Sequence, residues 1–104
     1  MKLLQHLNKK QMEKMTFEEI RKLLRDAGFK QRFYDGNTPI GVYELYARGY
    51  FTVAISKESD SEIFLSISHK QRPKLDRAEQ LLNELHVPAR FRNYGERCVM
   101  FIVH

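Results

Sequence analysis

A chain of 104 residues with 42% hydrophobic and 30% charged residues has the size and composition of one globular domain, so residues 1–104 are treated as a single unit. Its one cysteine excludes an internal disulfide and a thiolate zinc cluster, and the formal net charge of +5 favours an acidic partner. Since the sequence contains no complete signal-peptide core and no apolar run long enough to span a bilayer, we expect a cytoplasmic protein with no membrane partner.

The positive excess is concentrated near the start of the chain. Residues 1–32 contain nine Lys and Arg against four acids, whereas residues 33–104 contain nine of each. This asymmetry suggests that the surface formed by residues 1–32 faces an acidic partner, although a solvated helix face would give the same pattern. Residues 1–14 are predicted to form a loose basic arm or a short helix.

The clearest local signal is a helix start. Thr16 and Glu19 have the spacing of a capping box, which places the first helical residue at Phe17. Apolar residues then recur every three or four positions up to Ala27. Gly28 follows where a left-handed residue closes many helices.

Three strands are predicted after a turn at residues 35–39. Val42 to Ala47 and Tyr50 to Lys57 are separated by Arg48-Gly49, which suits a tight hairpin with positive φ at the glycine. Ile63, Leu65 and Ile67 alternate with the polar residues Glu62, Ser66 and Ser68, as expected of a strand buried on one face only.

A second helix and two strands complete the chain. Pro73 is expected in the first turn of this helix, and Pro88 is expected to end it. Residues 89–94 and 97–104 form the last two strands, the second apolar on both faces and therefore central or covered on both sides. Within it, Cys98 should be buried and unreactive. The order α-β-β-β-α-β-β predicts an α+β fold, a two-layer sandwich of an antiparallel sheet and helices.

The first candidate binding patch is the junction between the third strand and the second helix. A helix N-terminus surrounded by cations is a plausible phosphate site, and ordinary loop solubility is the alternative explanation. The residues concerned are Ser66, Ser68, His69, Lys70, Arg72, Lys74 and Arg77.

Two further patches combine cations with aromatic residues. Alternation in the strand 89–94 predicts Arg90, Arg92 and Tyr94 on one face and Phe91 on the core face, a stripe able to hold phosphates and stack a base. An edge strand kept soluble by its charges is the competing interpretation. The third patch, just past the first helix, includes Lys30 and Arg32.

The sequence contains no identifiable catalytic constellation. The four histidines, at positions 6, 69, 86 and 104, lack metal-ligand spacing, and no glycine-rich phosphate loop is present. We therefore expect no metal, no cofactor and no enzyme activity. His69, beside two serines and several cations, is the one residue that could act as a general base.

The element order over residues 16–86 resembles that of the double-stranded-RNA-binding domain. This resemblance implies phosphate contacts from Lys70, Arg72, Lys74 and Arg77, at the start of the second helix. The family's His-bearing loop between its first two strands has no counterpart in the two-residue Arg48-Gly49 link, and its glycine-rich helix entry is absent.

The stretch from Glu19 to Phe29 is similar to the opening helix of small RNA-cleaving toxins of the HicA type. Those toxins carry a histidine after a Gly-Ser pair, whereas Asn37, Thr38 and Pro39 follow Gly36 in this sequence. Toxin activity is therefore not carried over, and the chain is assigned to neither family.

The sequence favours a non-enzymatic binding module whose partner is nucleic acid. The alternative is a protein-binding regulator or inhibitor, such as a mobile-element protein that recognises an acidic protein surface on a nucleic-acid-acting host protein. An RNA-directed nuclease using His69 is the third hypothesis. The sequence leaves the oligomeric state undetermined.

Overall fold

The computed structural model describes residues 15–32, 42–59, 62–71 and 74–104. The predictions for residues 1–14, for the turn at 35–39, and for Arg72 and Pro73 lie outside these ranges. Within these ranges, two helices and six strands follow one another in the order α1 (Phe17–Asp26), β1 (Lys30–Arg32), β2 (Val42–Arg48), β3 (Phe51–Ser59), β4 (Glu62–His69), α2 (Leu75–Leu85), β5 (Ala89–Tyr94) and β6 (Val99–Val103).

Helix α1 begins as predicted, with a complete capping box. The Glu19 amide donates to the Thr16 hydroxyl oxygen at 3.1 Å, and the Thr16 amide donates to the Glu19 carboxylate at 3.3 Å. The helix ends at Asp26 with Ala27 as its C-cap, and Gly28 adopts a φ of +90°. The chain therefore turns back towards the sheet at the predicted glycine.

The six strands form one antiparallel sheet in the order β1-β2-β3-β4-β6-β5. The α+β class and the antiparallel sheet are confirmed, with one strand more than predicted, β1. The β2–β3 hairpin is tight, but Arg48 pairs with Phe51, so its two turn residues are Gly49 and Tyr50 rather than Arg48 and Gly49. The φ of Gly49 is +60°, which fits the first central position of a type II′ turn.

One face of the sheet carries the hydrophobic core. Residues Ile63, Leu65 and Ile67 of β4 point to this side, and the buried residues of both described helices pack in the same cluster. The opposite side, named here the open face, is identified by the strand register, since directly paired residues share a face. Its central residues are Leu45, Ala54, Phe64, Ser66, Met100 and Ile102.

Two predictions about α2 and β6 need correction. Helix α2 ends at Leu85 because His86 takes a left-handed φ of 59°, so the stop comes before Pro88. Strand β6 lies between β4 and β5, but it starts at Val99, and Cys98 belongs to the preceding turn. Cys98 is therefore half-buried, where the sequence predicted full burial.

Neither described helix is long and apolar enough to cross a membrane. Helix α2, the longer of the two, has 11 residues, whereas a bilayer-spanning helix needs roughly 20.

Candidate functional site

The structure brings part of the first predicted patch together at one end of the sheet. We name this group the sheet-end cluster: Tyr50, His69, Lys70, Lys74 and Arg77. The Lys70 amide donates to the Tyr50 carbonyl at 3.0 Å, which fixes the start of the β4–α2 connection against the β2–β3 turn. Lys74 is the N-cap residue of α2, and Arg77 follows within the first helical turn.

The cluster includes an exposed aromatic ring, that of Tyr50, which lies next to His69. Tyr50 is 57% exposed, and its ring centroid lies 5.6 Å from that of His69. Since Tyr50 lies in the β2–β3 turn and is more than half exposed, its ring is accessible to a planar ligand. The cluster therefore offers a stacking surface and several cations in one place, with Asp76 as an acid in the same first turn.

His69 has a defined protonation pattern. Its Nδ1 atom lies 3.0 Å from the Arg77 Nη1 and accepts the Gln71 amide at 3.2 Å, so the neutral ring carries its proton on Nε2. Partial burial of the ring and, as a smaller effect, the positive charge of Arg77 lower the pKa of His69 below its ordinary value. A neutral His69 at pH 7 contributes ring contacts and an N–H donor rather than positive charge.

The two serines of this patch lie elsewhere. Ser66 pairs with Ala54 and Ser68 pairs with Thr52, which places both on the open face, whereas His69 pairs with Phe51 on the core side. The predicted combination of these serines with His69 is thus divided between two faces of the sheet.

The third patch lies on the first edge strand. Lys30 pairs with Ala47 and Arg32 pairs with Leu45, so both cations belong to the open face, and both are exposed. They lie at the opposite edge of the sheet from β5, five strand spacings or about 24 Å away.

The second patch is only partly assembled as predicted. A bulge at Arg92 shifts the register between Phe91 and Asn93, so Tyr94 pairs with Val99 on the core side. The rings of Tyr94 and Phe91 are 5.1 Å apart, on the same side of the sheet. The predicted stripe of Arg90, Arg92 and Tyr94 on one face is therefore wrong.

The two arginines of β5 remain on the open face. Arg90 pairs with Ile102, and the Arg92 guanidinium lies 4.6 Å above the centroid of Phe64. Phe64 is only 5% exposed although it lies outside the core cluster. Phe91 points to the core side, as predicted, but is still 42% exposed at the sheet edge.

Sequence reasoning missed a partly buried polar network between α1 and β2. The Glu44 carboxylate accepts two bonds from Arg21, at 3.0 and 2.7 Å, and one from the Tyr46 hydroxyl at 2.6 Å. Burial would raise the pKa of Glu44, but the hydrogen bonds from Arg21 and Tyr46 outweigh it and hold this pKa below its ordinary value. Burial, together with the bond to Glu44, raises the pKa of Tyr46.

A second ion pair links both helices to the sheet. Arg48 donates to Glu84 of α2 at 2.6 Å and to the Ala27 carbonyl at the end of α1 at 2.9 Å, and its guanidinium lies 4.7 Å from the Phe29 ring centroid. Glu44 and Arg48 alternate with the core residue Tyr46 along β2, a period-two pattern that could have placed both charges on the core side. Their roles are structural, since each is engaged within the fold.

Within the part of the chain that the structure describes, no three His, Cys, Asp or Glu side chains converge as metal ligands. Comparison of the chain with protein-family models, with curated proteins and with solved structures gives no match.

Proposed function

We propose that the protein is a non-enzymatic module that binds nucleic acid through the sheet-end cluster. The observation that carries this proposal is the exposed Tyr50 ring next to His69, with Lys70 bonded through its backbone to Tyr50 and Arg77 in contact with His69. Lys74 lies at the adjoining start of α2. Aromatic side chains stack unpaired bases, and lysines and arginines neutralise the adjoining phosphates. The proposal places the protein in the cytoplasm, where the thiol of Cys98 stays reduced.

The structural contacts support a division of roles within the cluster. Tyr50 supplies the stacking surface, because its ring is exposed and lies at a tight turn. Lys70 and Lys74, both exposed, supply phosphate contacts at the start of α2, where the Lys74 side chain makes no capping hydrogen bond. Arg77 orients His69 through the contact to Nδ1.

Charge reversal tests the cationic part. Lys70→Glu/Lys74→Glu should weaken binding to a labelled single-stranded RNA of about 12 nucleotides and lower the slope of log affinity against log salt by about one unit per lost phosphate contact. Arg90→Glu/Arg92→Glu makes the same change in net charge at another surface and should retain nearly the wild-type slope. Fluorescence anisotropy over a salt series measures both, and circular dichroism verifies folding.

Tyr50→Ala tests the stacking part. Loss of one stacked base costs about 1–3 kcal/mol, a weakening of roughly 5- to 150-fold, without a change in the salt slope. Tyr50→Phe should bind like the wild type, because stacking needs the ring and not the hydroxyl. Absence of salt-sensitive binding by the wild-type protein to RNA and DNA, single-stranded or duplex, would overturn the proposal.

A further inference from the structure

The edge strand β5 carries two different sets of exposed side chains on its two faces. Phe91 and Tyr94, exposed by 42% and 60%, lie on the core side of the sheet beyond the cover of α2. Arg90 and Arg92 lie on the open face. Strand β5 pairs only with β6, so its other edge has no neighbouring strand among the described residues.

The hydrogen-bond pattern identifies which backbone groups of β5 are left for a ligand. The His104 amide donates to the Pro88 carbonyl at 3.1 Å, and bonded pairs alternate along an antiparallel ladder. The backbone N–H and C=O groups of Arg90 therefore bond to β6. Those of Ala89 and Phe91 point the opposite way, outward from the free edge of the sheet. Beyond the bulge, the Tyr94 carbonyl accepts a long bond of 3.4 Å from the Asn93 side chain.

A cleft of about 330 Å³ lies beside this free edge, on the core side. Its lining combines helix α2, the α2–β5 connection, β5 and the end of β6, and includes Glu79, Leu82, Val87, Arg90, Phe91 and His104. This volume is at the lower end of the roughly 300–1,000 Å³ found for ligand pockets. It provides room for apolar side chains of a segment lying along β5, beside Leu82, Val87 and Phe91.

We propose that β5 binds an extended segment of a partner protein in which acidic and apolar side chains alternate. The segment adds as an antiparallel strand to Ala89–Phe91. Its apolar side chains lie beside Phe91 and the cleft, and its acidic side chains lie beside Arg90 and Arg92 on the open face. Successive side chains of a strand point to opposite faces, so one period-two sequence satisfies both sides at once.

Charge distinguishes this occupant from a second copy of the chain. Two β5 strands paired about a twofold axis would bring the Arg90 and Arg92 side chains of both copies together on the open face. Like charges directly opposite one another destabilise a strand pair. An acidic segment instead forms opposite-charge pairs at the same positions.

The test uses the full-length protein and capped synthetic peptides of about eight residues. In the first peptide glutamate alternates with valine and phenylalanine, and in the second lysine replaces each glutamate. Amide chemical shifts in NMR titrations should change at Val87 and at residues 89–92 with the glutamate peptide, which should bind at least about tenfold more tightly than the lysine peptide. Equal affinities, or shifts confined to other elements, would overturn the proposal.

Two comparisons separate strand addition from simple charge attraction. N-methylation of the apolar peptide residues, whose N–H groups would face Ala89 and Phe91, should abolish binding, whereas N-methylation of the glutamates should leave it unchanged. Equal effects of the two modifications would contradict strand addition. Arg90→Glu should remove the preference for the glutamate peptide, because the new carboxylate offsets the charge of Arg92. Arg97→Glu, at an exposed charge in the β5–β6 turn, should leave the preference unchanged.

The remaining occupants are outcomes of the same experiments. Sedimentation runs would reveal any dimerisation that depends on protein concentration. If the Arg90→Glu substitution abolishes or enhances that dimerisation, and amide shifts change at Val87 and residues 89–92, the edge binds a second copy and the proposal is overturned. A single-stranded RNA that shifts the same amides and displaces the glutamate peptide would likewise overturn it. The nucleic-acid proposal for the sheet-end cluster is tested on other residues and can fail independently.

Discussion

At the scale of single residues, Thr16 fixes the start of α1. Its hydroxyl oxygen accepts the Glu19 amide, one of the N–H groups that a helix leaves unpaired at its first turn. Thr16→Ala should therefore lower the free energy of unfolding by roughly 1 kcal/mol, measured by urea denaturation. Thr16→Ser is the matched control, since it retains the hydroxyl and should remain close to the wild type. An equal loss in both variants would contradict the capping role.

The same scale shows which side-chain positions a sequence can predict. Thr16 and Glu19 interact across three residues, so their spacing alone indicates the box. Tyr94 depends on the bulge at Arg92, which is produced by pairing with β6 and leaves no local pattern. Alternation therefore placed Phe91 on the correct side of the sheet and Tyr94 on the wrong one.

At the scale of elements, the β5–β6 hairpin depends on a close approach at its turn. The Gly95 amide donates to the Cys98 carbonyl at 2.9 Å, and a Cβ atom at position 95 would lie 2.5 Å from the Cys98 sulfur. Gly95→Ala should destabilise the protein by roughly 1–3 kcal/mol, the usual cost of overpacking. Urea denaturation of this variant measures the loss.

A double-mutant cycle identifies the cause of that loss. In a Cys98→Ala background the colliding sulfur is absent, so most of the cost of Gly95→Ala should disappear. Strictly additive effects of the two substitutions would show that the strain lies in the backbone instead.

Prediction of elements succeeded where each element has a long periodic signal of its own. Strand β5 was predicted with its observed bounds, and the hairpin turn was misplaced by one residue. Strand β1 was missed because its three residues are all exposed and polar, so only pairing with β2 makes them a strand. For the candidate site, the sequence named Lys70, Lys74 and Arg77 together, but the contribution of Tyr50 depends on the contact between the β2–β3 turn and the end of β4.

At the scale of the whole molecule, Glu44 couples helix α1 to the sheet in a pH-dependent way. Its pKa is lower in the folded state than its ordinary value of 4.5, so its stabilising contribution is complete above that value and is lost as the pH falls through the folded pKa. Glu44→Gln should therefore reduce the loss of stability between about pH 5 and pH 2. Urea denaturation across this range measures the slope of the free energy of unfolding against pH. The control Glu79→Gln, at an exposed carboxylate, should keep the wild-type slope.

The two proposed binding surfaces occupy separate parts of the molecule. The sheet-end cluster is built on the β2–β3 turn and the start of α2, whereas the free edge and its cleft are built on β5 and the second half of α2. Each contains cations and exposed aromatic rings, which at β5 lie on opposite faces of the sheet. The module could thus hold a nucleic acid and an acidic protein segment at the same time.

The position of β6 between β4 and β5 has a consequence for incomplete chains. Every other strand pair in this sheet joins two strands that are consecutive in the sequence. Strand β4 instead pairs with β6, and α2 and β5 lie between them in the sequence. Until residues 99–103 have been synthesised, the strand Glu62–His69 presents an unpaired edge bearing Ile63, Leu65 and Ile67, a template for intermolecular pairing. Nascent or proteolytically shortened chains that end before Val99 are therefore the form of this protein most exposed to aggregation and to capture by chaperones.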